Sequence, residues 1–193
     1  MTDLQKKKVW DPVSRLWHWV FAAGVTANWI LGTYMSFYTV QWHFYVGYLV
    51  LALLGFRLLW GFVGPAPARF SSFLPSPPTI ARDLGSFFKR EPGGVPGHSA
   101  LGALSVYAML LVVAGQAITG LFIEADDYFE EAPLFGSVSE DISDFMNTVH
   151  HTLPDVILIL VVLHVAVIMF YLVWKRENLI MPMIHGWKRV RRQ

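Results

Sequence analysis

The feature that most constrains this chain is a long run of sequence without a formal charge. No Lys, Arg, Asp or Glu occurs between Arg15 and Arg57. Charged residues make up 15 % of the 193 residues and apolar residues 54 %, whereas soluble chains usually carry about 25 % charged residues. So few charges do not readily cover a water-exposed surface, which disfavours a soluble enzyme. The formal charge of +1 also argues against a nucleic-acid partner, because few cations are left to neutralise phosphates.

Four apolar stretches are close to the length of about 20 residues with which a helix spans the hydrocarbon core of a bilayer. They cover approximately residues 17–38, 42–63, 101–123 and 149–174. The sequence therefore predicts an all-α membrane protein, a four-helix transmembrane bundle that forms a single domain over 1–193. A shorter segment, about 79–90, places apolar residues at near-helical spacing beside basic ones. It predicts a short amphipathic helix on the cytoplasmic membrane surface.

The basic residues predict the orientation of these helices. With four helices, all 15 Lys and Arg residues fall on or near one side, and none lies between Glu91 and Lys175. The positive-inside rule then places both termini and the long middle connection in the cytoplasm. The segment 124–144 contains eight acidic residues and no basic one, and we expect it on the outer side. The predicted location is a bacterial inner (plasma) membrane, which the chain crosses several times.

Histidines within the apolar stretches are the strongest functional signal, because ionisable side chains are costly inside a bilayer. His150 and His164 are 14 residues apart, so in one helix they share a face and lie about 21 Å apart along its axis. The directions of the other helices put His18 at the depth of His164, and His43 at the depth of His150. Two imidazole pairs stacked across a bilayer, in a chain without Cys, suit two b-type haems. A six-coordinate bis-His iron favours electron transfer.

Other interpretations of these histidines stay open. A single intramembrane His can be a hydrogen-bonded core residue or a proton relay. A haem-free membrane transport or binding protein with a His relay is therefore one alternative. Zinc or copper is another possible occupant, although the two His residues of the last predicted helix are too far apart to share one ion.

Several motifs occur in order along nearly the whole chain. They are Val9-Trp-Asp-Pro-Val-Ser-Arg-Leu-Trp-His-Trp, His43 with Gly47, Phe56-Arg-Leu-Leu-Trp-Gly-Phe, Gly120-Leu-Phe, His150-His-Thr-Leu, and His164 followed by Lys175-Arg-Glu-Asn-Leu-Ile. In this combination the sequence resembles the prokaryotic di-haem cytochrome b561 family, which includes the b-type cytochrome subunit of nickel–iron hydrogenases. The resemblance implies that His18, His43, His150 and His164 are the four axial ligands of the haem iron.

The predicted function is transmembrane electron transfer through two haem b groups, between an external periplasmic redox partner and the membrane quinone pool. We expect an electron-transfer subunit of an oxidoreductase system. Its partner is expected to be a cytochrome c, a hydrogenase or a similar protein, and its surroundings are membrane lipid. A stand-alone superoxide-to-quinone oxidoreductase is a further alternative, since the family includes such members.

Further candidate cofactor-binding residues are Arg15, Arg57, His98 and His151. Arg57 lies 14 residues after His43, at the predicted depth of the inner haem, and Arg15 lies one turn before the first predicted ligand. Both can pair with haem propionates, unless they extend to the lipid headgroups. His98 near the inner surface and His151 near the outer surface can handle protons for a quinone, because imidazole titrates near pH 7. Both can equally be ordinary surface residues.

Overall fold

A computed structural model describes residues 4–90, 97–125, 128 and 130–191 of the chain, which is mostly helical. The helices are α1 (Pro12–Thr33), α2 (Val40–Val63), α3 (Pro77–Ser86), α4 (Ala100–Thr119), α5 (Glu140–Val173) and α6 (Ile180–His185). Short 3-10 turns cover Ala66–Ala68 and Phe70–Ser72. Two antiparallel ribbons pair β1 (Leu4–Lys8) with β4 (Trp187–Arg191), and β2 (Glu124–Ala125) with β3 (Glu130–Glu131).

Three of the described helices, α2, α4 and α5, are long and apolar enough to cross a membrane. Helix α1 has 22 residues, which is sufficient length, but Ser14, Arg15 and Asn28 interrupt its apolar sequence. It is not among those three. The structure therefore supports a helical membrane protein with three apolar spans. The fourth span, the bundle and the cytoplasmic side of the termini stay predictions.

Helix α1 begins and ends earlier than the predicted 17–38. Its start is fixed by Asp11, whose Oδ1 accepts a hydrogen bond from the backbone N–H of Ser14 at 2.9 Å. Pro12 occupies the first helical position, where the missing N–H costs nothing because it would have no helical partner. The side chain that caps the helix thus adds a polar turn before the apolar stretch.

Helix α5 differs most from its predicted bounds, because it begins at Glu140 rather than near 149. The last part of the segment that we assigned to an acidic loop is therefore helical. Glu140 and Asp141 stand in the first turn, where carboxylates are stabilised by the positive end of the helix dipole. The other two long helices start within two residues of the prediction, and α4 ends at Thr119 rather than 123, directly before Gly120.

Helix α3 covers Pro77–Ser86 instead of the predicted 79–90. Ser76 and Thr79 hydrogen-bond reciprocally at its start. Asp83 on this helix accepts a hydrogen bond from the backbone N–H of Ala100 at 2.7 Å, so α3 also caps α4. Leu84 is 58 % exposed, which agrees with an apolar side that faces a membrane surface. That location stays a prediction.

The chain divides into two compact units. The single domain over 1–193 stays a prediction. The first unit contains residues 1–17, 57–108 and 160–193, and the second contains 18–56 and 109–159. The second unit has an apolar core formed by Val50, Leu54, Val113 and Ile157. Every Lys and Arg of the sequence belongs to the ranges of the first unit, and nine of the 14 acidic residues belong to the second.

Candidate metal centre

The second unit contains a cavity of about 390 Å³ between residues of α1, α2, α4 and α5. Its polar lining includes Asn28, His43, Gln116, His150 and His151, together with Thr33, Glu124 and Asn147, and most of the rest is apolar, aromatic or glycine. An apolar cavity with a few converging polar groups is the usual form of a cofactor or ligand site. Two of the predicted iron ligands, His43 and His150, therefore line one cavity.

His43 and His150 are spaced as two ligands of one ion require. Their ring centroids lie 6.3 Å apart, and the ring planes are inclined by 85°. A metal ion lies about 2.0–2.1 Å from an imidazole nitrogen, so two imidazoles on opposite sides of one ion have nitrogens about 4 Å apart and centroids about 6 Å apart. Both side chains are half-buried. The separation thus fits one metal ion between the two rings.

The backbone orients both imidazoles in the same way. The Nδ1 atom of His43 lies 3.2 Å from the carbonyl oxygen of Asn28, and the Nδ1 atom of His150 lies 3.0 Å from the carbonyl oxygen of Gln116. A carbonyl only accepts hydrogen bonds, so each Nδ1 is the protonated nitrogen. The lone pair is then on Nε2, the atom that can bind a metal. A metal-binding His is commonly held by such a bond on its other nitrogen.

Two glycines make room for these rings. A Cβ atom on Gly32 would lie 3.1 Å from Cε1 of His43, and a Cβ atom on Gly120 would lie 2.7 Å from Cε1 of His150. Each glycine follows the residue with the accepting carbonyl by four positions, Asn28 in one case and Gln116 in the other. The same arrangement of amide residue, three spacers and glycine therefore holds each imidazole.

Asn28 and Gln116 were not among the residues that the sequence predicted for the site. The only sequence signal is that each is an amide within an apolar helix, four residues before a glycine. Their side chains also matter, because Oδ1 of Asn28 and Oε1 of Gln116 are buried without a hydrogen-bond partner among the described residues. The Nε2 atom of Gln116 lies 3.2 Å from Nε2 of His150. The lining thus has polar atoms that a bound group could satisfy.

The two other predicted ligands are described in different units. His18 lies on α1 in the second unit, with its ring 5.2 Å from that of Trp19. His164 lies on α5 in the first unit, and both are half-buried. Their pairing stays a prediction. In the described part of the chain, no group of three or more His, Asp or Glu side chains is placed to hold a metal ion, so the best-supported donor set is an imidazole pair.

Arg57 is the clearest candidate for an anionic group in the first unit. Its side chain is 7 % exposed, and its guanidinium carbon lies 4.6 Å from the ring centroid of Phe70 and 5.7 Å from that of Trp17. The Nη1 atom is buried without a hydrogen-bond partner among the described residues. Arg57 is therefore enclosed by aromatic rings rather than extended to the surface, and a propionate could satisfy its free donor.

The remaining candidate residues have different surroundings. His98 is in ring contact with Trp10 at 4.7 Å and with Phe73 at 4.5 Å. Burial, together with the positive charge of Arg57, lowers the pKa of His98 to about 4, so its imidazole is neutral at pH 7. His151 is exposed and borders the cavity of the second unit.

Arg15, the last of these candidates, forms a hydrogen bond to helix α6. Its Nη1 donates a hydrogen bond to the carbonyl oxygen of Ile184, in α6. This contact anchors the end of the chain to the start of α1 and leaves Nε buried without a partner in the described residues. The roles of all four candidates toward a cofactor stay predictions.

Comparisons with known proteins place this arrangement in context. The family model described as prokaryotic cytochrome b561 matches residues 9–186. A protein of Azotobacter vinelandii, named as a probable Ni/Fe-hydrogenase B-type cytochrome subunit, is 28 % identical over 93 % of this chain and 87 % of its own length. A protein of the same name from Rhizobium leguminosarum bv. viciae is 28 % identical over 95 % and 89 %. No solved structure is significantly similar to the chain.

Proposed function

Because the chain belongs to the prokaryotic cytochrome b561 family, we propose that it transfers electrons across a membrane through two haem b groups. Haem b, when bound, supplies one-electron redox chemistry at iron. The single observation that supports the proposal best is the 6.3 Å separation of the His43 and His150 rings. Nε2 of each residue would ligate one iron. A haem iron held by two protein imidazoles would favour electron transfer over substrate chemistry.

The second haem would be held by His18 and His164. They are the remaining pair at matched depth in the predicted four-helix bundle, with both termini in the cytoplasm. Arg57 would neutralise the carboxylates of this inner group, because its buried Nη1 atom has no partner among the described residues. Placing an unpaired guanidinium in an apolar environment is costly unless an anion compensates it. The buried cation therefore supports a negatively charged occupant of the first unit.

The external partner would be a redox protein on the acidic side of the membrane. The relatives described above are named as probable Ni/Fe-hydrogenase B-type cytochrome subunits. A hydrogenase is accordingly the first candidate, with a periplasmic cytochrome c as the second. The membrane quinone would react near the inner pair, since a second haem is useful only if the acceptor lies deeper than the donor. In variants that keep both haems, Arg57→Gln and His98→Ala should then slow quinone reduction. Normal rates in both, with slow reduction in His151→Ala or Asp155→Asn, would locate the quinone on the outer side.

The haem proposal is tested by the absorption spectrum and haem content of the purified protein. We expect low-spin bis-His spectra and two haems per chain. His150→Ala and His43→Ala should each lose one haem and keep the other. The matched control is His151→Ala, which removes the adjacent imidazole and should keep both haems. A protein without haem, or the loss of a haem from His151→Ala but not from His150→Ala, would refute the ligand assignment.

A further inference from the structure

The first unit has a strongly basic ribbon in which the register places basic residues opposite each other. In the β1–β4 register, Lys6 stands opposite Arg189 and Lys7 opposite Lys188. Like charges directly opposite in an antiparallel pair destabilise it. A ribbon with this register is therefore favoured when negative charge is supplied from elsewhere.

The protein itself supplies such a charge to Lys188. Lys188 Nζ lies 2.6 Å from Oε1 of Glu177, and both side chains are about nine-tenths buried. Lys6, Lys7 and Lys8 are exposed, and none of them forms an ion pair among the described residues. Three ammonium groups of one strand thus remain available to an external anion.

A cavity of about 280 Å³ adjoins these lysines. Lys7 and Lys8 line it together with Ser72, Phe73 and His98, and with small and apolar residues. Its two full charges are both positive, because His98 is neutral at pH 7 and its ring is held between Trp10 and Phe73. The cavity therefore combines a cationic rim with apolar walls.

Exposed apolar side chains occur in the ribbon itself and in the helix next to it in the sequence. Trp187 stands opposite Lys8 in the register and is 47 % exposed. In α6, which directly precedes β4, Met181 is 45 % and Ile184 56 % exposed. Tryptophan and basic residues together are typical of the membrane–water interface, and exposed aliphatic groups beside them suit acyl chains. A purely ionic ligand such as inorganic phosphate would leave these apolar groups unused.

We propose that the β1–β4 ribbon, the Lys7–Lys8 cavity and the exposed side of α6 form a binding site for an anionic phospholipid. The lysine ammonium groups would hold the headgroup phosphate, and Met181 and Ile184 would contact its acyl chains. The proposal rests on the proposed orientation, in which this unit lies at the cytoplasmic leaflet. Juxtamembrane basic residues are attracted to the anionic lipids of that leaflet.

The test uses the full-length protein, purified in detergent and titrated with phosphatidylglycerol or with zwitterionic phosphatidylcholine, with bound lipid counted by native mass spectrometry. We expect preferential retention of phosphatidylglycerol. The Lys7→Gln/Lys8→Gln variant should weaken that binding about 25-fold, since each basic residue at an anionic lipid surface contributes about fivefold. The control Arg69→Gln/Arg176→Gln removes two exposed positive charges of the same unit, outside the ribbon and the cavity lining, and should bind like the wild type.

The outcomes separate this inference from the haem proposal, because lipid retention is counted independently of the haem spectrum. An equal loss of phosphatidylglycerol retention in both double variants would show non-specific attraction and would refute the proposed site. So would equal retention of the two lipids, or displacement of phosphatidylglycerol by millimolar inorganic phosphate. Slower quinone reduction in Lys7→Gln/Lys8→Gln with unchanged lipid retention would assign the cavity to quinone instead. If the lysine variant does not fold, Met181→Ser/Ile184→Ser must lower phosphatidylglycerol retention for the proposal to stand.

Discussion

Two glycines leave space for the imidazole rings that line the cavity, and the closer of the two contacts is at Gly120. A Cβ atom there would lie 2.7 Å from Cε1 of His150, so that the ring would have to move. We expect Gly120→Ala to weaken haem binding at the His43–His150 pair about 10–100-fold, the range typical when the groups that orient a metal ligand are disturbed. Haem content per chain measures this. Gly55→Ala is the control, because its Cβ atom would meet nothing within 4 Å; equal losses in both variants would contradict the role of Gly120.

We expect the side-chain amide of Gln116 to compete with a metal for His150. It stands 3.2 Å from Nε2 of that imidazole, the atom with the lone pair. Leu is similar in size and has no hydrogen-bond donor, and the backbone carbonyl that orients the ring is retained. We expect haem titrated into haem-depleted Gln116→Leu to bind about fivefold more tightly at this pair, the equivalent of one hydrogen bond that no longer has to be broken. The gain should vanish in the background of His150→Ala, and weaker binding would refute the competition.

At the scale of elements, one carboxylate connects α3 to α4. Asp83 accepts hydrogen bonds from the backbone N–H groups of Ala100 and Leu101, at 2.7 and 3.3 Å. We expect Asp83→Ala to lower the free energy of unfolding by about 1–2 kcal/mol, the cost of losing a helix cap. Asp83→Asn keeps an acceptor and should cost much less. Thermal unfolding in detergent measures both, and Arg82→Ala on the same helix is the control. Equal destabilisation by Ala and Asn would exclude the capping role.

The first turns of α5 contain three of the eight acidic residues of the segment 124–144. Glu140, Asp141 and Asp144 are exposed there, and the second unit contains no Lys or Arg. We expect Glu140→Gln/Asp141→Asn/Asp144→Asn to slow reduction by a basic periplasmic donor and to flatten its dependence on ionic strength, because electrostatic steering is screened by salt. Reduction by a small neutral donor should be unchanged. Unaltered kinetics with the protein donor would exclude docking at these turns.

The elements also indicate what the sequence could predict. Apolar length predicted the three spans α2, α4 and α5 that the structure supports. The 14-residue spacing placed His150 and His164 on one face, and the directions of the helices paired His43 with His150 by depth. Two features were missed because they depend on hydrogen bonds between distant residues. The carbonyls of Asn28 and Gln116 that orient the imidazoles belong to the backbone, and their only sequence signal is an amide four residues before a glycine. The pairing of β1 with β4 joins strands from opposite ends of the chain. Each strand alone is rich in basic residues, which is typical of a solvent-exposed segment without a strand partner.

For the whole molecule, the charge distribution predicts the side of the membrane on which each unit lies. The ranges of the first unit contain all 15 basic residues, and those of the second contain nine acidic residues and no basic one. Positive charges near the ends of membrane helices are retained in the cytoplasm. In the predicted orientation, the basic residues would be near an anionic leaflet and the acidic ones near an external donor. The proposed lipid site and the proposed docking surface both depend on that orientation.

That orientation is measurable with reporters on the two sides. We expect a fluorescent protein fused after Gln193 to be bright, since it folds in the cytoplasm, and alkaline phosphatase inserted after Gly136 to be active, since it requires the periplasm. Exchanging the reporters should abolish both signals. Replacing Glu140, Asp141 and Asp144 by Lys should lower the phosphatase signal, because basic residues oppose translocation, whereas the neutral Gln and Asn variants should keep it. A dark C-terminal fluorescent fusion with an active C-terminal phosphatase would place the termini outside, and would overturn the inner location of Arg57 together with the proposed direction of electron transfer.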